Sequence, residues 1–336
     1  MKILITGGSG FIGSHLVEKL LAKGNHVAVI DNLSTGKFSN IKPFLRDPNF
    51  TYTIDTILNR KVLKKLIEDC DQIYHLAAAV GVKFIIDNPL QSLKVNINGT
   101  DNVLEFANEF KRKVLIASTS EIYGKSDQIP FKEDADRLLG STHISRWSYS
   151  SSKAIDEFLA LAYHREKRLP IVIVRCFNTV GPRQTGQYGM VIPKFVKSAL
   201  LNHPITIFGD GKQSRCFCDV DDVTDGMLKL MNDKRAEGEI FNLGNDQSIS
   251  IEELAHLIKK MTKSGSRIDY VKYEDAYEEG FEDKAADAFM EQANGLANEL
   301  KGKGIKVMPN SEMIAIIAYL QRIGGDLNKN LTKEEE

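Results

Sequence analysis

The chain has 336 residues, a length that suits one large α/β domain or two joined domains. Hydrophobic residues make up 42% of the chain and charged residues 26%, and this composition excludes a chain that is disordered throughout. Lys and Arg number 44 against 45 Asp and Glu, so the net charge of -1 argues against a general nucleic-acid binder.

The sequence also limits the compartment and the metal chemistry. No apolar run is long enough to cross a bilayer, so we expect no membrane partner and a cytoplasmic location. The four cysteines form no C-x-x-C pair, which favours reduced thiols. We predict no metal site, because the chain has neither an H-E-x-x-H motif nor a Cys/His cluster.

The first half alternates short β-branched runs with helical patterns, a rhythm that predicts a parallel sheet. Strands are predicted at 3–6, 27–30, 51–54, 73–76, 114–118 and 171–175, with a helix at 149–167 before the sixth strand. Less regular elements follow, with helices predicted at 191–201, 220–231 and 250–261 and strands at 206–208 and 240–243. Ser250 and Glu253 form a capping box at the start of the last of these helices.

A glycine-rich tract joins the first predicted strand to the first predicted helix. It comprises Gly7, Gly8, Ser9, Gly10, Phe11, Ile12 and Gly13. Such glycines allow a tight turn and bring a pyrophosphate close to backbone N–H groups at a helix N-terminus. Asp31 ends the second strand, where its carboxylate can accept both ribose hydroxyls and would repel a 2′-phosphate. The tract and Asp31 together predict NAD, in preference to NADP.

A second group of residues is suited to proton transfer. Tyr149 and Lys153 are four residues apart, so their side chains share one face of a helix. An ammonium beside the phenol, together with a positive nicotinamide ring, is expected to lower the pKa of Tyr149 from its ordinary value of about 10. Thr119, at the end of the fifth strand, supplies a hydroxyl that can hold a sugar oxygen. These three residues are predicted to be catalytic, with Tyr149 as the proton acceptor.

The chain resembles the extended short-chain dehydrogenase/reductases, specifically the NAD-dependent epimerase/dehydratase family that acts on nucleotide sugars. The segments that carry the resemblance are ITGGSGFIGSHLVEKL, VIDNLSTGK, YHLAAAV, NINGT, STSEIYG, YSSSK, RCFNTVGPRQ, YGMVIPKF and IFGDGKQSRCF. They cover about residues 1–283. The resemblance implies a Rossmann-type doubly wound parallel sheet at 1–175 and a smaller α/β substrate-binding half at 176–283. It also implies that bound NAD is reduced at the sugar C4 and then returns the hydride to a UDP-sugar, in an expected homodimer.

Further site residues follow from this resemblance alone. For the cofactor it implies Asn32, Ser34, Asp55, Leu76, Ala77, Ala78, Lys83 and Asn96, besides the glycine tract, Asp31, Tyr149 and Lys153. For the sugar nucleotide it implies Asn178, Val191, Ile192 and Arg215.

The reaction within the family depends on Glu121, the fourth predicted catalytic residue. Dehydratases of the family have an Asp-Glu pair after the Thr, whereas this chain has Ser120-Glu121. Sugar-nucleotide decarboxylases have Thr-Ser-Glu, as here, and many 4-epimerases have a small or hydroxyl residue in place of the Glu. The segment 147–157 looks closer to bacterial epimerases. We therefore rank a UDP-glucose/UDP-galactose type 4-epimerase first. The alternatives are a UDP-glucuronate decarboxylase, a dTDP-glucose 4,6-dehydratase-like enzyme and an impaired NAD-binding scaffold.

The tail at 284–336 departs from the family pattern. It lacks the Arg-Arg-x-Pro-Asp tract that relatives carry and is rich in Ala, Asn and Lys. Residues 308–322 resemble the C-terminal helix of the monohaem subunit of a cbb-type cytochrome oxidase, but the chain has no C-x-x-C-H for haem attachment. We expect a helical tail that supplies no catalytic group.

Overall fold

We describe the fold from a computed structural model that covers residues 1–80, 85, 88–126, 128–145, 147–184 and 190–272. The chain divides into two compact units. The first comprises Met1–Ile207 and Gly211–Asp269, and the second Phe208–Asp210 and Tyr270–Glu336. The predicted tail and its cytochrome-like segment lie outside the described residues. The predicted division at 175 and 283 stays a prediction.

A seven-stranded parallel sheet forms the centre of the first unit. Its strands are β1 (Lys2–Thr6), β2 (His26–Ile30), β3 (Phe50–Thr53), β4 (Gln72–His75), β5 (Lys113–Thr119), β6 (Ile171–Cys176) and β11 (Ile240–Leu243). Their spatial order is β3-β2-β1-β4-β5-β6-β11, and each neighbouring pair is parallel. Strands β2 and β3 therefore lie on one side of β1, and β4 and the strands after it lie on the other side. The point between β1 and β4 where the strand order switches is where this fold binds dinucleotides. The predicted doubly wound α/β fold is confirmed.

Helices cover both faces of this sheet. The α-helices of the described residues are α1 (Phe11–Ala22), α2 (Phe38–Ile41), α3 (Arg60–Glu68), α4 (Pro89–Phe110), α5 (Trp147–Lys167), α6 (Val191–Leu200), α7 (Val220–Asn232) and α8 (Ile251–Met261), of which α6 and α8 pack away from this sheet. One apolar cluster joins the sheet to α1 and α7, and another joins it to α3, α4 and α5. The strands contribute buried residues to both clusters, which explains why they read as continuous apolar runs.

Short strands follow the sixth strand of the central sheet. They are β7 (Thr179–Val180), β8 (Ile205–Phe208), β9 (Ser214–Cys216), β10 (Cys218–Asp219), β12 (Ser248–Ser250) and β13 (Ile268–Val271). β7 pairs with β10 in parallel and β9 pairs with β12 antiparallel. A third apolar cluster packs α6 against α8. The predicted capping box is confirmed: Ser250 Oγ accepts from Glu253 N, and the Glu253 carboxylate accepts from Ser250 N. No helix among these described elements is long and apolar enough to span a membrane.

Candidate active site

The glycine loop between β1 and α1 packs tightly against the loop after β4. Gly7 has a φ of +75°, and a Cβ at this position would lie 2.8 Å from Ala77 N. A Cβ on Gly13 would lie 2.3 Å from Gly7 O, inside the turn itself. Both positions therefore require glycine, because any side chain would push the turn open. The loop ends at the N-terminus of α1, whose unpaired N–H groups favour a negatively charged ligand.

Asp31 lies at the end of β2 and closes the loop from the other side. Its Oδ2 accepts a hydrogen bond from Ser9 N at 2.9 Å, and its Oδ1 accepts one from Leu33 N at 2.8 Å. Burial raises the pKa of Asp31, while these two backbone N–H groups act to lower it. Each carboxylate oxygen retains further acceptor capacity, which suits a ribose diol.

The glycine loop also contains an unsatisfied polar atom. Ser9 Oγ is buried and has no hydrogen-bond partner in the part of the chain that the structure describes. Ser9 is outside the cavity lining, so the fit to a phosphate rests on the loop backbone, where Gly7, Gly10 and Gly13 line the cavity at the N-terminus of α1. The residues present therefore fit a dinucleotide.

A cavity of about 520 Å³ opens along the carboxyl ends of the strands. It is lined by most of the predicted cofactor residues: Gly7, Gly10, Phe11, Ile12, Gly13, Asp31, Asn32, Ser34, Asp55, Leu76, Ala77 and Ala78. The predicted catalytic residues Thr119, Glu121 and Tyr149 line it too, together with Asn178 from the predicted sugar-nucleotide set. The cofactor end and the catalytic end of the site therefore share one continuous space.

Tyr149 lies on the first turns of α5, hydrogen-bonded to Thr119 at the end of β5. Burial raises the pKa of Tyr149, and the charges of Glu121 and Asp156 raise it further, while the hydrogen bond with Thr119 lowers it. The predicted lowering of this pKa is therefore not observed. Burial outweighs the polar contacts in the protein alone, and a positive nicotinamide ring would act in the opposite direction.

Lys153 lies beneath Tyr149, one turn further along α5, and is not in the cavity lining. Its side chain is 2% exposed, and Nζ donates to Asp156 Oδ2 at 2.8 Å. The ammonium that the sequence analysis pairs with Tyr149 thus forms its ion pair with Asp156. This pairing gives a physical reason why Lys153 does not lower the pKa of Tyr149.

Asn96 lies below the cavity on α4. Its Oδ1 accepts from Ala79 N at 2.7 Å, and its Nδ2 donates to Ser152 Oγ at 3.1 Å. Asn96 thus ties the loop after β4 to helix α5, next to Lys153. The predicted cofactor residue Lys83 lies outside the described residues.

Three of the four residues predicted for the sugar nucleotide lie outside the cavity lining. Arg215 is exposed on β9 and donates to Ser214 O, while Val191 and Ile192 begin α6 and pack against its apolar cluster. Asn178 is in the lining and donates from Nδ2 to Cys216 O at 2.9 Å. The roles of all four stay predictions.

Several lining residues escaped the sequence analysis. They are Thr35, Lys37, Asn40, Thr56, Cys176, Thr179, Arg183 and Gln184. All of them lie at or beyond the carboxyl ends of β2, β3 and β6, and ligands bind at this edge of the sheet in doubly wound folds. The rule that ligands bind beyond the carboxyl ends of the strands would have identified them from the predicted strands. Among them, Cys176 is neutral, because burial raises the pKa of its thiol to about 12.

The comparisons with known proteins agree with this geometry. The NAD dependent epimerase/dehydratase family matches residues 3–244. The chain belongs to this family. Its cofactor is NAD, as the family description and the NAD-bound structures of relatives state.

Two relatives are sugar-nucleotide decarboxylases by name. The chain is 41% identical over 283 residues to a UDP-N-acetyl-alpha-D-glucosaminuronate decarboxylase from Bacillus cytotoxicus, a match that covers 84% of this chain and 87% of that protein. It is 36% identical to UDP-glucuronic acid decarboxylase 4 from Arabidopsis thaliana, over 80% of this chain but only 59% of that longer protein.

A solved structure is similar over the same region. It is a UDP-glucuronic acid 4-epimerase from Bacillus cereus in complex with UDP-glucuronic acid and NAD. The TM-score is 0.74 at 34% identity, and the match covers 81% of this chain and 86% of that one. None of these three relatives is a cytochrome oxidase subunit, and the resemblance of the tail to one is unsupported.

Proposed function

We propose that this chain is an NAD-dependent decarboxylase that acts on a UDP-linked uronic acid. The observation that carries the proposal is the position of Glu121, which lines the cavity two residues after Thr119 and whose charge acts on Tyr149. Thr119-Ser120-Glu121 is also the form that the sequence analysis associates with sugar-nucleotide decarboxylases. The two decarboxylases described above support the same choice.

The residues of the site suit an oxidation followed by loss of CO2. When bound, NAD accepts a hydride from the sugar C4 and later returns it. Tyr149 takes the proton of the C4 hydroxyl, and the Thr119 hydroxyl holds the same oxygen. The resulting ketone is β to the C6 carboxylate, so the C5–C6 bond can break with its electron pair entering the carbonyl. C5 then gains a proton, and we assign Glu121 to the handling of that proton.

The 4-epimerase that the sequence analysis ranks first is the weaker candidate. Epimerisation at C4 needs only the removal and return of a hydride and a proton. Neither step uses the Glu121 carboxylate. A dehydratase fits less well too, because Ser120 occupies the position of its acid. Of the three reactions, decarboxylation is the one that uses Glu121 and needs no acid at position 120.

The test is a direct assay of the purified protein with UDP-glucuronate and with UDP-N-acetylglucosaminuronate. We expect CO2 release and a sugar product without C6, measured by trapping labelled CO2 and by NMR. Glu121→Gln should reduce CO2 release by about a hundredfold or more while bound NAD is retained. Glu166→Gln, which removes an exposed carboxylate from the far end of α5, should change neither. Interconversion of C4 epimers without CO2 would refute the proposal in favour of the epimerase.

A further inference from the structure

A buried ion pair lies on the face of α5 that carries Tyr149. Tyr149, Lys153 and Asp156 occupy positions i, i+4 and i+7, so they form one stripe along the helix. Lys153 is 2% exposed and Asp156 is 0% exposed. The 2.8 Å bond between Lys153 Nζ and Asp156 Oδ2 therefore lies wholly inside the protein. A carboxylate at this distance can hold a predicted catalytic ammonium in place and offset its charge.

The two oxygens of Asp156 differ in their hydrogen bonding. Its Oδ1 is buried and has no hydrogen-bond partner within the described ranges. Burial raises the pKa of Asp156, and Glu157 raises it further, while Lys153 and the Thr100 hydroxyl lower it. A buried carboxylate with one unpaired oxygen costs stability. A functional role therefore explains the presence of Asp156 in the core better than a contribution to stability does.

Among the described residues around Asp156, Lys153 is the cation that offsets its charge. Glu157, the next residue, is bound by Arg175 on both oxygens. On the sheet side, His75 bonds to the Thr100 hydroxyl through Nε2, and burial lowers the pKa of His75 to about 3. His75 is therefore neutral at working pH and adds no positive charge.

We propose that Asp156 is a positioning residue for Lys153: it holds the ammonium beneath Tyr149, offsets its charge, and so fixes the pH range in which Tyr149 accepts a proton. This inference rests on the role of Tyr149 in the proposed function. It adds a residue that neither the motif at 149–153 nor the family resemblance identifies.

The charges that face Tyr149 set the direction of the expected effect. Glu121 faces it from the turn after β5, and Asp156 faces it from its own helix. Both carboxylates raise the pKa of Tyr149, and Thr119 lowers it by hydrogen bonding. The Cys176 thiol, at the end of β6, is neutral and adds no charge. Without the Asp156 charge, the Lys153 ammonium acts on the phenol uncompensated. The Tyr149 phenolate should then form at lower pH.

The test is an ultraviolet titration of tyrosine phenolate in the NAD-loaded protein. Subtracting the curve of Tyr149→Phe isolates the Tyr149 contribution, and no substrate is needed, so the result is independent of which sugar the enzyme uses. Asp156→Asn should move the midpoint about one pH unit lower, as expected for the loss of one charge two helical turns away. Asp156→Glu, which keeps the charge, should restore a midpoint near that of the native protein.

Two controls keep the test decisive. Glu166→Gln removes the same charge from the exposed end of the same helix and should leave the midpoint unchanged. If Asp156→Asn does not fold, the smaller neutral variant Asp156→Ser provides the same measurement. Superimposable Tyr149 curves for the native protein and a folded neutral variant would overturn the proposal, and so would an equal shift in Glu166→Gln. A normal shift without CO2 release would leave this inference standing and refute only the proposed reaction.

Discussion

Arg175, near the end of β6, donates hydrogen bonds to both carboxylate oxygens of Glu157, from Nε at 3.0 Å and from Nη2 at 2.8 Å. The same guanidinium donates to Tyr123 Oη at 2.7 Å, and Ser118 Oγ donates to Glu157 Oε1. Tyr123 ends the turn that carries Glu121. This buried network therefore joins β6, α5 and the catalytic turn beneath the cavity.

We predict that breaking this pair destabilises the protein strongly. Glu157→Gln leaves a buried guanidinium without its counter-charge, a change that typically costs about 3–5 kcal/mol. Urea unfolding followed by circular dichroism measures the loss. Glu105→Gln serves as the control, because Glu105 pairs with Arg60 in a bridge whose two side chains are about half exposed. It should move the midpoint little. Equal effects of the two changes would mean that the Arg175–Glu157 pair has no special structural role.

A second prediction concerns the proton acceptor. Tyr149→Phe removes the hydroxyl and keeps the ring, so the packing of α5 should persist. Turnover should fall by about a hundredfold or more, as expected for a positioned base, with bound NAD retained. The comparison is made on purified protein, with NAD released by denaturation and quantified. Near-normal turnover of this variant would exclude Tyr149 as the base.

The seven strands of the central sheet were predictable because each reads as a short run of apolar, β-branched or aromatic residues between loops, and the inner strands are buried on both faces. The structure extends four of them by one residue at one or both ends, shifts two by one residue, and has the last at its predicted bounds. The short strands β7, β9, β10 and β12 were not predictable. Two or three residues show no alternation, and their partners lie far away in the chain. A strand of this fold is therefore predictable from the sequence only when it is long enough to show a local pattern of its own.

The residues of the site likewise divide into those that the sequence predicts and those that it does not. The glycine tract and Asp31 were predictable, since a fixed spacing between strand and helix determines their chemistry. The partner of Lys153 was not, because Tyr149 and Asp156 both lie within about one turn of it. Only burial, which the sequence does not specify, determines that the ammonium pairs with Asp156. Arg215 was placed in the site by resemblance, although its side chain is exposed on β9.

A third prediction tests the fit of the glycine loop to the cofactor. Gly13→Ala places a Cβ 2.3 Å from Gly7 O, so the turn must open and the bound dinucleotide should be lost or weakened at least tenfold. Gly265→Ala is the matched control, since its Cβ would meet Asn202 Oδ1 at 3.7 Å, an ordinary contact. Calorimetric titration with NAD measures both. Equal NAD affinity in the two variants would show that the loop does not contact the cofactor.

The last prediction follows from the burial of His75 and concerns stability rather than activity. His75 is 1% exposed, with Nδ1 bonded to Thr6 Oγ1 at 2.7 Å and Nε2 to Thr100 Oγ1 at 3.0 Å. Burial, and then the charge of Lys153, lower its pKa from 6.5 to about 3. Between these two values the unfolded chain binds a proton that the folded protein does not. The free energy of unfolding should therefore fall as the pH drops below about 6.5, by up to about 1.4 kcal/mol per pH unit from this group.

The measurement is urea unfolding at a series of pH values from 7 to 4.5. In His75→Asn, which keeps a polar group near Thr6, this part of the slope should disappear, whatever the variant does to stability at pH 7. His143→Asn removes an exposed imidazole and should keep the native slope. A native slope that survives in His75→Asn would assign the acid sensitivity to other groups and would mean that His75 is protonated in the folded protein.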